Sequence, residues 1–77
     1  MKGPHMFRIE EMAPEKGSRT RFFATGNGFW VALANIDRLR PTRDPNVCEV
    51  VLVGGMRYYA SGTLKDLITR FQVPAGP

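Results

Sequence analysis

The stretch from Val47 to Ala60, VCEVVLVGGMRYYA, constrains the fold of this chain more than any other. Apolar, β-branched and aromatic residues flank Gly54-Gly55, and a glycine pair supplies the positive φ values that a tight I′ or II′ hairpin turn requires. Two antiparallel strands folded back at the glycines are therefore predicted. In the first arm Cys48, Val50 and Leu52 share one face, while Val47, Val51 and Val53 share the other. With apolar residues on both faces, this arm is expected to be the central strand, covered on both sides. In the returning arm Met56, Tyr58 and Ala60 share one face, and Arg57, Tyr59 and Ser61 the other.

The residues after the hairpin switch from strand to helix period. Leu64, Leu67, Ile68 and Phe71 fall at i, i+3, i+4 and i+7, a single apolar stripe that can lie on a sheet. Thr63 precedes the stripe with Asp66 three residues on, the spacing of a capping box with Asp in place of Glu. A helix this short is marginal in water, so docking on the sheet must hold it.

Upstream, Phe7-Arg8-Ile9-Glu10 alternates apolar and polar, which predicts a short strand over Phe7–Met12. Ala13 to Thr20 gathers Pro14, Gly17 and Ser18 among charges and reads as a loop. Arg21–Thr25 and Phe29–Leu33 are expected to pair with each other across Gly26-Asn27-Gly28, because that tripeptide tolerates left-handed backbone. The second of these strands is nearly all apolar, so either both of its faces are covered or Trp30 and Ala32 form an exposed patch. At Leu33, Ile36 and Leu39 the apolar spacing becomes three, which no strand places on one face, so Ala34–Asp37 is expected to be a turn or bulge. Extended structure resumes at Arg38-Leu39-Arg40 and ends in the Pro41–Asn46 loop.

Length sets the frame for these elements. A chain of 77 residues has room for one domain and a modest core, burying roughly 60% of its unfolded surface. The expected architecture is α+β: a small bent antiparallel sheet of four or five strands with one C-terminal helix, formed by residues 7–71. Met1–Met6, MKGPHM, resembles the remnant of protease cleavage and a cloning-site Met, and stands outside the fold. Residues 72–77 read as a disordered tail. Unpaired sheet edges on so small a domain favour a homodimer.

The residue inventory argues against several chemistries. A lone cysteine, Cys48, excludes an intramolecular disulfide, and the one histidine, His5, lies in the remnant, so no soft-ligand metal cluster can be assembled. Cys48 sits on an apolar strand with no histidine to activate it and reads as a packed thiol. No carboxylate pair suggests acid-base work, and no phosphate-cradling glycine loop is present. The expectation is a protein that is not an enzyme and needs no cofactor. No apolar run is long enough for a membrane span and no secretory h-region follows the N-terminus, which predicts a cytoplasmic protein.

Charge supplies the one functional lead. The formal net charge is +4, and eight of the eleven basic residues are arginines, whose guanidinium fork matches carboxylate and phosphate geometry. Arg38 and Arg40, two apart, project from one strand face, with Arg43 in the following loop and Arg57 and Tyr59 on the hairpin. With Trp30 these residues form the candidate contact surface. The expected function is regulatory or adaptor binding of a protein partner, with nucleic-acid binding as the alternative. In that alternative the arginines straddle phosphates and Trp30, Tyr58 or Tyr59 stack on bases. A competing reading has the arginines merely solvating an exposed face, paired with Asp37, Asp44 or Glu49.

Residues 22–71 resemble a known family. Thr25-Gly26-Asn27-Gly28, Ala34-Asn35-Ile36-Asp37-Arg38-Leu39, Val50-Val51-Leu52-Val53-Gly54-Gly55-Met56-Arg57-Tyr58-Tyr59 and Thr63-Leu64-Lys65-Asp66-Leu67-Ile68 are similar in order to the FlbD-type swarming-motility proteins. The same order resembles the second half of a LytTR DNA-binding domain. The resemblance implies a regulatory module, with protein contact on the FlbD side and DNA on the LytTR side. A small phage or plasmid-type modulator docking on a larger host machine is a further form of the binding expectation.

Overall fold

The computed structural model describes residues 6–72. Residues 1–5 of the expected remnant and 73–77 of the expected tail lie outside this range. An antiparallel five-stranded open sheet carries one C-terminal helix, giving a small α+β domain. The strands are β1 (Met6–Pro14), β2 (Phe22–Ala32), β3 (Ile36–Pro41), β4 (Val47–Leu52) and β5 (Arg57–Ser61), followed by helix α1 (Leu64–Phe71). Their order across the sheet is β2-β1-β5-β4-β3. Met6, placed with the remnant on sequence grounds, is the first residue of β1 and pairs with Ala32.

The β4–β5 hairpin forms where its sequence predicts, with a different turn. The loop is Val53-Gly54-Gly55, closed by Leu52 N–H donating to the Met56 carbonyl at 2.7 Å and Gly55 N–H donating to the Leu52 carbonyl at 2.9 Å. Gly54 and Gly55 have φ of 100° and 96°, the left-handed backbone that both positions require. The central strand is β5, not β4; β4 lies between β5 and β3. On its face away from α1, Val47 and Glu49 are buried and Val51 is half-buried, as expected of an arm covered on both sides, while Val53 at its end is 66% exposed.

The largest departure from expectation is at Gly26-Asn27-Gly28. Residues 22–32 form one strand, β2, which pairs along its length with β1 and not with itself. Glu10 pairs with Gly28 and Met12 with Ala24, so Thr25, Gly26 and Asn27 bulge opposite Glu11 alone. Gly26 has φ of 85°, and the Thr25 hydroxyl accepts from Asn27 N–H at 3.1 Å and donates to Glu11 Oε1 at 3.1 Å, pinning the bulge to β1. Positive φ serves a bulge as well as a turn. What decides between them is that β1 can pair with both halves of β2 and bury Ile9 and Val31 together.

The bend expected at Ala34–Asp37 is present in two parts and begins one residue earlier, at Leu33. Leu33–Asn35 form a 3-10 turn, and the β3–β4 register shifts between Ile36 and Arg38, leaving Asp37 as the extra residue. That shift lets both Ile36 and Leu39 face the core, which is why their spacing is three.

The core lies between the sheet and α1. Ile9, Leu39, Cys48, Val50, Ala60, Leu67 and Phe71 are buried within it. Thr63 caps the helix by accepting from Asp66 N–H at 3.1 Å, and Gln72, in left-handed backbone, ends it with its N–H on the Ile68 carbonyl. Phe71 stacks at 4.6 Å on Phe7, and the Arg70 guanidinium spans both rings and donates to the Arg8 carbonyl at 2.9 Å. The far end of the helix is thus fastened to β1.

Candidate binding surface on the helix-free face

With α1 covering one face, strand alternation sends every second side chain to the other. Cross-strand register lays two rows there. One runs Arg40, Glu49, Tyr59, Met12, Ala24 across β3, β4, β5, β1 and β2; the next runs Arg38, Val51, Arg57 across β3, β4 and β5. Arg38, Arg40, Arg57 and Tyr59 therefore share one surface, although they come from three strands.

Glu49 is the electrostatic centre of this surface. Its side chain is 12% exposed, with Oε1 at 3.8 Å from Arg40 Nε and Oε2 at 3.7 Å from Arg57 Nη1. One carboxylate thus faces two guanidiniums, which are drawn inward while remaining largely hydrated. Arg38 pairs with its neighbour Asp37 at 3.3 Å. The charge pairing expected with Asp37 and Glu49 is present; Asp44 instead accepts from Asn46 N–H through Oδ1 at 2.9 Å.

Arg43 reaches the same surface from the 42–46 loop. The Thr42 hydroxyl lies 2.9 and 2.8 Å from the Asp44 and Val47 carbonyls, one of which takes its proton, and accepts from Asp44 N–H at 3.1 Å, while Val47 N–H donates to the Asp44 carbonyl at 3.0 Å. These bonds fix the loop's shape. Opposite, the 15–21 loop is closed by Glu15 N–H on the Arg21 carbonyl at 2.8 Å and by the Ser18 hydroxyl accepting from Arg21 N–H at 3.0 Å. A hollow of about 210 Å³ lies between the loops, with Arg19 and Arg43 at its rim and Phe22, Thr42, Glu49 and Tyr59 among its walls. The Phe22 and Tyr59 rings meet at 4.9 Å, tilted by 57°. Among the described residues neither Arg19 nor Arg43 has a carboxylate within 4.0 Å. A larger hollow, about 310 Å³, lies on the other side of the same loop against Val47 and Leu64.

Trp30 is not part of this constellation. It is 64% exposed on β2, the edge strand opposite β3, which puts it about 19 Å of sheet width from Arg38 and Arg40 at about 4.8 Å per strand. The chain matches no known protein-family model, and no curated protein or solved structure matches it.

Sequence reasoning missed Arg19, Phe22 and Thr42: Phe22 and the neighbouring Arg19 reach the hollow because β2 pairs with β1 along its length, and Thr42 because it lies in the β3–β4 loop opposite. Glu49 had a signal: it is the one charged residue in the apolar run Val47–Val53. Cys48 is buried, with Sγ 3.4 Å from the Arg40 carbonyl. Burial, with the nearby Glu49 charge adding to it, pushes the thiol up to about 11 from its ordinary 9.0. At neutral pH it is therefore a protonated packing group. No group of three or more His, Cys, Asp or Glu among the described residues could hold a metal ion.

Proposed function

We propose that this domain is a non-enzymatic adaptor or regulatory module that docks an acidic segment of a protein partner on its helix-free face. The observation that carries the proposal is the surface just described: Arg38, Arg40 and Arg57 around Glu49 and Val51, with Arg19 and Arg43 beside it. Guanidiniums already oriented by a carboxylate can exchange it for, or share it with, incoming carboxylates in forked geometry. Exposed Val53 and Met56 adjoin Arg57 at the hairpin turn, and such apolar groups next to charge suit a peptide more than a phosphate backbone.

A second reading rests on one observation, the Phe22–Tyr59 ring pair between Arg19 and Arg43. Aromatic side chains flanked by cations are how single-stranded nucleic acid is held without sequence preference. The two readings separate in one titration series. Fluorescence anisotropy of a labelled glutamate-rich peptide and of a labelled single-stranded oligonucleotide is followed from low to high salt. Protein docking predicts peptide binding that weakens in Arg40→Glu and Arg43→Glu; the nucleic-acid reading predicts oligonucleotide binding with a steep logarithmic salt slope. If neither probe binds at low salt, or if binding ignores both substitutions, this surface is not the docking site.

A further inference from the structure

The two edges of the sheet are built in opposite ways. β3, Ile36–Pro41, is short and carries Asp37, Arg38, Arg40 and Pro41, the charges and proline that stop an edge from pairing with another strand. β2 is the longest strand, 11 residues, and FFATGNGFWVA contains no charged residue and no proline. Its outer side has no neighbouring strand among the described residues. Phe23 is 48% and Trp30 64% exposed along it.

From this contrast we infer that β2 is a self-association edge: two copies of this chain pair antiparallel through Gly28–Ala32, joining their sheets into one. The bulge at Thr25–Asn27 interrupts the ladder and leaves Gly28–Ala32 as the regular segment. Run antiparallel against itself with the two-fold axis at Trp30, this segment sets Trp30 opposite Trp30, Phe29 opposite Val31 and Gly28 opposite Ala32. Each pairing is sterically sensible. Phe29 and Val31 belong to the face that carries the core, so they continue it across the junction, while on the other face Trp30 lies between the small Ala32 and Gly28, which the Arg8 guanidinium covers. The partner is a second copy because the segment is neutral and self-complementary under a two-fold axis, the commonest symmetry of soluble oligomers. A charged segment would repel itself in that arrangement; Gly28–Ala32 carries no charge, and the Arg8 guanidinium that lies over Gly28 is paired with Glu10. The interface is small, so association is concentration-dependent.

The inference does not depend on the binding proposal. It places the two helix-free faces on the same side, with the arginine-bearing β3 edges at the two outer ends.

Trp30 is the only tryptophan, so its emission reports this one position. Light-scattering mass and tryptophan emission are measured on the full chain from low micromolar to high hundreds of micromolar. The expected result is a mass rising toward twice that of the chain, together with a blue shift of the emission and protection from acrylamide. Trp30→Lys, at an exposed position where circular dichroism can verify the fold, is expected to raise the dissociation constant about tenfold or more, while Trp30→Phe retains the dimer. A monomer throughout the range overturns the inference. So does a dimer whose Trp30 remains as quenchable as the monomer's, a result read on the unsubstituted protein and independent of whether any variant folds.

Discussion

Replacing Glu49 with Gln tests the logic of the arginine surface, because it removes one charge and almost no volume. The carboxylate oxygens lie 3.8 and 3.7 Å from Arg40 and Arg57, and two unit charges at such a distance attract by about 4 kcal/mol at an effective dielectric of about 20. The net value is far smaller. Arg40 and Arg57 side chains are 45% and 64% exposed, and exposed ion pairs contribute about 0.2–1 kcal/mol each. Glu49 is itself mostly buried, so its substitution also relieves a desolvation cost that offsets part of the loss. The expected result is a destabilisation of about 1 kcal/mol at low ionic strength, or about 4–8 °C in Tm for a domain of this size. Urea and thermal unfolding at low salt and at about 1 M salt, where the screening length falls to about 3 Å, should show the difference shrinking by half or more. A double-mutant cycle with Arg57→Gln isolates the pair. The same substitution makes the surface one unit more positive and frees two guanidiniums, so affinity for an acidic peptide should rise while stability falls. Glu49→Gln as stable as the parent at low salt, or a loss insensitive to salt, would refute the view that Glu49 holds these arginines.

Other predictions bear on the scaffold. Phe71→Ala removes a fully buried ring stacked on Phe7 and should cost about 3–5 kcal/mol, enough to unfold much of a domain this small, as read by circular dichroism and urea titration. Thr63→Ala deletes the cap on Asp66 N–H and should cost about 1 kcal/mol, with Thr63→Ser close to neutral. Cys48 makes stability fall at high pH. Its folded pKa is raised from 9.0 to about 11, so above 9.0 the unfolded chain ionises first; the contribution is intact below that pH and is lost toward 11, by at most about 3 kcal/mol. Chemical denaturation across this range should show a steeper decline for the parent than for Cys48→Ala, and parallel curves would contradict the assignment.

Much of the local structure was legible in the chain. The hairpin reversal and positive φ at Gly54-Gly55, the Thr63 cap, the Leu64–Phe71 stripe and the 34–37 irregularity each follow from local rules: positive φ at glycine, a hydroxyl before a helix, a period of 3.6, a period that breaks. Arg38 and Arg40 could be placed on one strand face because alternation is also local. Gly26-Asn27-Gly28 was the failure, since the same residues serve a turn or a bulge and the choice belongs to the strand that pairs beside them.

What the sequence alone determined, then, is the β4–β5 hairpin, the C-terminal helix, the α+β class and the arginine-rich character of one strand and its loop. Only tertiary structure decided the order β2-β1-β5-β4-β3, and with it which residues meet. That order put Trp30 and the arginines on opposite edges, drew Arg40 and Arg57 to Glu49, and brought Arg19 and Phe22 to Tyr59 and Arg43. The physical reason is that strand pairing is non-local: backbone hydrogen bonds are much the same in any register, and the preference comes from which arrangement lets Ile9, Val31, Leu39 and Val50 share one core beneath a short helix.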